Sequence, residues 1–165
     1  MVVSYTNREP RNSDLPGEYS YISQTQFEKM DSDGEFIWTA GPYGNNYGTT
    51  KKSVDEALSD DETTHIMLLV GISIEILLSY AQDMARGRSI KSFYILSPSP
   101  EVLRERLKKR GDEPKKIEQR LAESLGWDSS AKSSKIPYVF VVNDGKIEDA
   151  VNEIIIFLKC GDCCF

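Results

Sequence analysis

Apolar and polar positions alternate, cluster and break along the chain in a way that predicts its elements. Val2 to Tyr5 is apolar and β-prone and reads as the end of a buried strand. Glu18 to Ser23 alternates, with Tyr19 and Tyr21 on one face, and predicts a second strand. Ser23 and Gln26 stand at the spacing of a capping box, so a short helix should follow and turn Phe27 and Met30 towards a core before a turn at residues 31–34. Glu35 to Ala40 predicts a strand, 41–48 a turn-rich connection ending in Tyr47, Ser53 to Leu58 a helix and 59–62 an acidic loop. His65 to Val70 is continuously apolar after its first residue, as a central parallel strand would be, and Gly71 to Ala85 reads as the helix after it.

The second half repeats this alternation. Ser92 to Leu96 predicts a buried strand. Ser99, Pro100 and Glu101 supply an N-cap, a first-turn proline and a first-turn acid for a helix that Gly111 ends. A further helix is expected from Pro114 to Leu125, a small-residue linker at 131–134, a strand from Tyr138 to Val142 and an amphipathic helix from Ile147 to Leu158. Strands alternating with helices predict an α/β fold with a parallel sheet flanked by helices.

Composition narrows the function classes. The 165 residues suffice for one well-buried domain, and 39% apolar with 28% charged residues is ordinary for a globular protein. The net charge of −6 argues against nucleic-acid binding. Arg8, Glu9 and Arg11 come too early for a secretory leader. The apolar run Ile66 to Tyr80 is broken by Glu75 and is too short for a bilayer, so a cytoplasmic protein with no membrane partner is expected. Cys160, Cys163 and Cys164 give at most half a zinc site, and His65 is far away in sequence, so no metal ligands are assigned. The run 31–34 offers no calcium loop, since Lys29 would occupy the first ligand position.

The chemistry is concentrated in two stretches. After Ser4 and Thr6 come Arg8 and Arg11 with Pro10 between them. Proline fixes its own φ and pushes the preceding residue to an extended conformation, so this is a stiff arm carrying hydroxyls and two guanidinium forks, suited to one phosphate. In the second stretch, residues 104–120 hold eight of the chain's 20 lysines and arginines against four acids, a net +4 inside a protein of net −6. Arg106 and Arg110 lie one helical turn apart. Such a like-charge pair costs about 0.2–0.5 kcal/mol unless an anion lies between its members.

The arginine arm, the tyrosines at 19 and 21, Phe27, Phe36-Ile37 and the run Gly44-Asn45-Asn46-Tyr47-Gly48-Thr49 follow in an order and spacing that resemble the GMP-binding part of guanylate kinases, and the match runs to about Phe157. The resemblance implies ATP-dependent phosphorylation of GMP to GDP in a P-loop-kinase-like fold with a mixed β GMP-binding insert and a helical lid. It implies one domain over 1–165, with the insert at 6–62, the core at 63–97 and 135–159, and the lid at 98–134. By it, Ser4, Arg8, Arg11, Tyr19 and Tyr47 match positions that bind the GMP phosphate, and Thr49 matches a hydroxyl that touches guanine. Arg106, Arg110 and Arg120 match lid arginines acting in phosphoryl transfer, and Asn143 matches a position near the adenine of ATP.

Three departures qualify what the resemblance implies. No Gly-x-x-x-x-Gly-Lys-[Ser/Thr] occurs in the 165 residues, so the first strand and P-loop are expected to be lacking and the sites for ATP and magnesium incomplete. The guanine-reading glutamate falls at Trp38, whose indole only donates, so poor discrimination between GMP and AMP is expected if Trp38 meets the base at all. Strand-end aspartates fall at Leu68 and Val70. A truncated or degenerate guanylate kinase that keeps the monophosphate grip is the leading expectation. A non-catalytic interaction module with a protein partner, and a fragment of an intact enzyme with a mis-called start, are its alternatives.

Overall fold

The computed structural model describes every residue except 13, 15, 42, 43, 70, 72, 88, 89 and 161–165, and the side chain of Cys160. The chain forms two compact units, Met1–Ile90 and Lys91–Phe165. Its elements in order are β1 (Ser4–Thr6), β2 (Tyr19–Tyr21), α1 (Gln24–Ser32), β3 (Phe36–Ala40), β4 (Tyr47–Thr50), α2 (Lys51–Ser59), α3 (Ser73–Asp83), β5 (Ser92–Leu96), α4 (Pro100–Arg110), α5 (Pro114–Ser133), β6 (Tyr138–Val142) and α6 (Ile147–Cys160).

In the first unit four strands form a mixed sheet in the order β2-β1-β4-β3. β1 runs parallel to β2 and antiparallel to β4, and β4 is antiparallel to β3. The capping box starts α1 as expected: the Ser23 hydroxyl accepts from the Gln26 N–H, and the Gln26 side chain accepts from the Ser23 N–H at 2.9 Å. One face of the sheet is aromatic. Phe27 from α1 stacks on Phe36 with centroids 4.7 Å apart, and Tyr5 meets Phe36 edge-on at 6.0 Å. Gly48 lies under that ring, where a Cβ would stand 3.0 Å from the Phe36 side chain and 3.1 Å from the Trp38 carbonyl. This close approach is why glycine sits inside a strand.

The ladder slips between Phe36 and Trp38: Phe36 stands opposite Thr50, but Trp38 stands opposite Thr49. Residues two apart on β3 thus meet residues one apart on β4, the signature of a bulge. The slip puts Trp38 on the face of Thr49, away from the Phe36 stack.

Three expectations change here. Tyr47–Thr50 is a strand and not only the end of a turn, and Thr50 caps α2, which begins at Lys51, two residues before the predicted start. Residues 65–69 are not a strand; the Ile66 carbonyl accepts from the Val2 N–H, just before β1, at 2.8 Å. An apolar run specifies no ladder without a neighbour to pair along its length, and here Ile66 and Leu68 stand exposed. Val70 lies outside the described residues.

The second unit pairs β5 with β6 in parallel over five residues each. α5 extends to Ser133, eight residues beyond the predicted end, and takes in most of the expected linker. Leu107 of α4 packs with Ile117 and Leu121 of α5. Gly111 ends α4 in the left-handed region at φ 88°, as its position suggested. The Asp128 carboxylate accepts from the Tyr94 hydroxyl and from the N–H and hydroxyl of Ser97, fixing the end of β5. Burial, with this bond second, raises the Tyr94 pKa to about 12. Cys163 and Cys164 lie outside the described residues.

Candidate functional site

The hydroxyls singled out in the sequence share one face of the first unit's sheet. Alternation puts Ser4 and Thr6 on one side of β1; Tyr19 and Tyr21 stand opposite them on β2, and Tyr47 stands opposite Thr6 on β4. The Ser4 Oγ and Thr49 Oγ1 lie 2.8 Å apart, so one hydroxyl donates to the other. Trp38 completes the row opposite Thr49.

Arg8 lies two residues beyond the end of β1 and is buried. Its N–H donates to the Thr6 hydroxyl at 3.1 Å, so the strand's last residue sets the start of the arm. The guanidinium lies over Tyr19 and Tyr21, 5.3 and 5.8 Å from the ring centroids. Nη1 donates to the Glu9 carbonyl at 2.8 Å and Nη2 to Asp14 at 3.0 Å. Burial alone would lower the Arg8 pKa, but the hydrogen bond and charge of Asp14 outweigh it and raise the value.

Asp14 was not singled out in the sequence. One of its oxygens, Oδ2, accepts from Arg8 Nη2, from the Arg11 N–H at 2.6 Å and from the Tyr21 hydroxyl at 2.5 Å. The Tyr21 hydroxyl foremost, then the Arg11 N–H, holds its pKa below the ordinary carboxylate value. Donors from three residues thus already converge on one anionic oxygen. The only sequence cue was an acid three residues past Arg11 in a turn-rich stretch. Arg11 itself sends its backbone N–H inward and leaves its guanidinium exposed. Tyr19 and Tyr47 meet edge-on at 5.9 Å, and burial, first among several causes, raises the Tyr19 pKa.

The asparagine turn serves the arm structurally. The Asn46 N–H donates to Asn7 Oδ1 at 2.7 Å, and both side-chain amides donate to Gln24 Oε1. The arm, the turn before β4 and the start of α1 are thereby held as one piece.

In the second unit, Arg110 and Arg120 converge on Asp112. Arg110 pairs with the carboxylate through Nε at 2.9 Å and through Nη2, and Arg120 Nε lies 3.6 Å away. Arg110 is first among the causes that depress the Asp112 pKa. Arg106, one turn from Arg110, donates instead to the Gly145 carbonyl at 3.1 Å. Asn143 follows β6, and its side-chain oxygen is enclosed without a partner.

Among the described residues no group of three or more His, Cys, Asp or Glu stands together to hold an ion, and the lysine and hydroxyl of a P-loop are not in the sequence. No helix among the described residues is long and apolar enough to cross a membrane.

The guanylate kinase family model matches residues 1–160. The chain is 32% identical over 153 residues to the guanylate kinase of Carboxydothermus hydrogenoformans, covering 92% of this chain and 70% of that protein. It is 34% identical to that of Clostridium acetobutylicum, covering 97% and 74%. The crystal structure of guanylate kinase from Anaplasma phagocytophilum shares the fold with a TM-score of 0.63 at 23% identity, covering 98% of this chain and 76% of that one. The chain belongs to the guanylate kinase family.

Proposed function

We propose that the chain binds the phosphate of GMP or a similar monophosphate through Arg8, Arg11, Tyr19 and Tyr47, and that the 165 residues by themselves do not complete phosphoryl transfer. The observation that carries the binding half is Asp14: Arg8, the Arg11 N–H and the Tyr21 hydroxyl already close on one carboxylate oxygen, so donors in this arm are aligned on an anionic group. Ser4 and Thr49 line the same face, behind the tyrosines.

The second half rests on the missing parts. In-line transfer from ATP needs a cradle for its phosphates and a magnesium ion. The 165 residues hold no P-loop, and the described acids form no ion site. Arg106, Arg110 and Arg120 are the cations that would meet charge released in transfer, and Asn143 the residue that would meet adenine. The monophosphate-binding part is residues 6–62, with the lid at 98–134 and the core at 63–97 and 135–159.

The test is a coupled assay of the pure chain with ATP, magnesium and GMP, run beside calorimetric titration with GMP alone. Saturable binding without turnover at about 1–100 s⁻¹ is expected. Turnover in that range, co-purifying with the chain, overturns the second half; absence of binding overturns the first.

A further inference from the structure

We infer that α6 pairs with the α6 of a second copy of the chain, antiparallel and across a two-fold axis, through an apolar stripe that the described residues leave uncovered.

The width of the apolar surface is the first observation. At about 100° per residue, the apolar side chains from Phe157 round to Ile155 span an arc of about 160°. One side of that arc is used within the second unit. Ala150 is buried, α6 packs on β6, and Phe157 meets Phe93 edge-on at 6.4 Å. The other side carries Ile147, Val151, Ile155 and Leu158, which are 68%, 46%, 39% and 37% exposed. Their spacing of four, four and three residues makes one continuous stripe along the helix and not scattered surface.

The order of charges along the stripe selects the partner. Glu148 lies in the first turn of α6 and Lys159 in the last. They are eleven residues apart, about three turns, so both border the stripe on the flank away from the sheet. In an antiparallel helix pair that flank of each helix meets the same flank of the other. Laid on a second copy in this way, α6 sets Ile147 against the partner's Leu158, Val151 against the partner's Ile155 and Glu148 against the partner's Lys159. Every contact then occurs twice, as a two-fold interface requires. The uncharged Asn152 falls near the axis, where a charge would meet its own copy. A parallel pair would turn the charged flank of one copy towards the sheet-covered flank of the other and lose the match of Glu148 with lysine.

A single helix of 14 residues gives a small interface. The expected dimer is therefore weak, with a dissociation constant of about 1–100 μM.

Sedimentation equilibrium of the full chain from about 1 to 300 μM tests this. A monomer–dimer equilibrium in that range is expected, and a monomer at every concentration overturns the inference. Val151→Glu puts a charge in the middle of the stripe and should leave only monomer, with circular dichroism unchanged because Val151 is already exposed. Glu148→Lys and Lys159→Glu should each raise the dissociation constant about fivefold or more at low salt. Combined, the two reversals should return it to within about twofold of the parent, a rescue that a purely structural role for either side chain would not give. Dimers that persist in folded Val151→Glu, or charge reversals that have no effect or add instead of cancelling, overturn the inference. If Val151→Glu does not fold, the charge reversals decide alone.

Discussion

The Arg8 guanidinium stands 3.0 Å from the Asp14 carboxylate, with side chains only 7% and 13% exposed. Arg11, three residues further along the same arm, is exposed. The two arginines should therefore answer substitution differently. Arg8→Ala removes a buried charge-assisted bond and two ring contacts, and should lower stability by about 1.5–3 kcal/mol. Arg11→Ala should stay within about 0.5 kcal/mol of the parent in stability while weakening GMP binding about tenfold. Urea unfolding of both variants beside GMP titration measures this. Equal stability losses would mean that the arm is one structural unit.

Asp14 and a bound phosphate would both draw on Arg8, and like charges at that distance repel. Asp14→Asn keeps the shape and one acceptor oxygen but removes the charge. Monophosphate binding should tighten about threefold to tenfold at low salt, with the gain shrinking as salt screens the repulsion. Titrations at two ionic strengths check it. Weaker binding in the variant would show that Asp14 is needed to hold Arg8 in place.

Local chemistry was legible in the sequence, and pairing across distance was not. The Ser23 capping box, the Ser99–Pro100 start of α4 and its Gly111 stop lie within a few residues of what they control, and each appears as read. The predicted strand at 65–70 failed over its described residues because an apolar run does not say what it pairs with. β4 was hidden by Gly48, whose reason for being glycine is the Phe36 ring brought in from another strand. The arginine arm with Ser4 and Thr6 was legible from its own residues, and Tyr19, Tyr47 and Thr49 were joined to it by resemblance. Their common face and the bulge that turns Trp38 towards them depend on the register of four strands, which no local pattern carries. Asp14 was missed because an aspartate in a turn usually caps backbone, and its partnership with Arg8 needs the fold of the arm.

The loop after α2 gives a pH dependence with a definite sign. Asp60 accepts from His65 Nε2 at 2.8 Å and from the N–H groups of Glu62 and Thr63. The His65 bond foremost, then these N–H groups, lowers its pKa from 3.8 to about 2. A carboxylate whose pKa is depressed on folding adds stability above its unfolded value and loses it as pH falls through the folded one. The stability difference between the parent and Asp60→Asn should therefore be full at pH 5 and shrink towards zero between about pH 4 and pH 2. Urea unfolding of both proteins at pH 5, 3 and 2 measures it. A difference that does not change over that range would mean that the loop is not closed by the ionised carboxylate.

The Ser4–Thr49 bond permits a double-mutant cycle because each hydroxyl is the other's partner and both are buried. Thr49→Val keeps the shape and leaves the Ser4 hydroxyl enclosed without a partner. Ser4→Ala does the reverse to Thr49. Each single change should cost about 1–3 kcal/mol, the penalty of an unsatisfied buried polar group. In the double variant no orphan remains, so its cost should fall short of the two single costs added together by about 0.5–3 kcal/mol. The same cycle bears on ligand reading. Because both side chains are buried, none of the three variants should change GMP affinity by more than about threefold, provided each is folded. Additive stability costs would show that the hydroxyls do not depend on each other. A loss of GMP binding confined to Thr49→Val, with folding intact, would show that Thr49 turns away from Ser4 to meet the ligand.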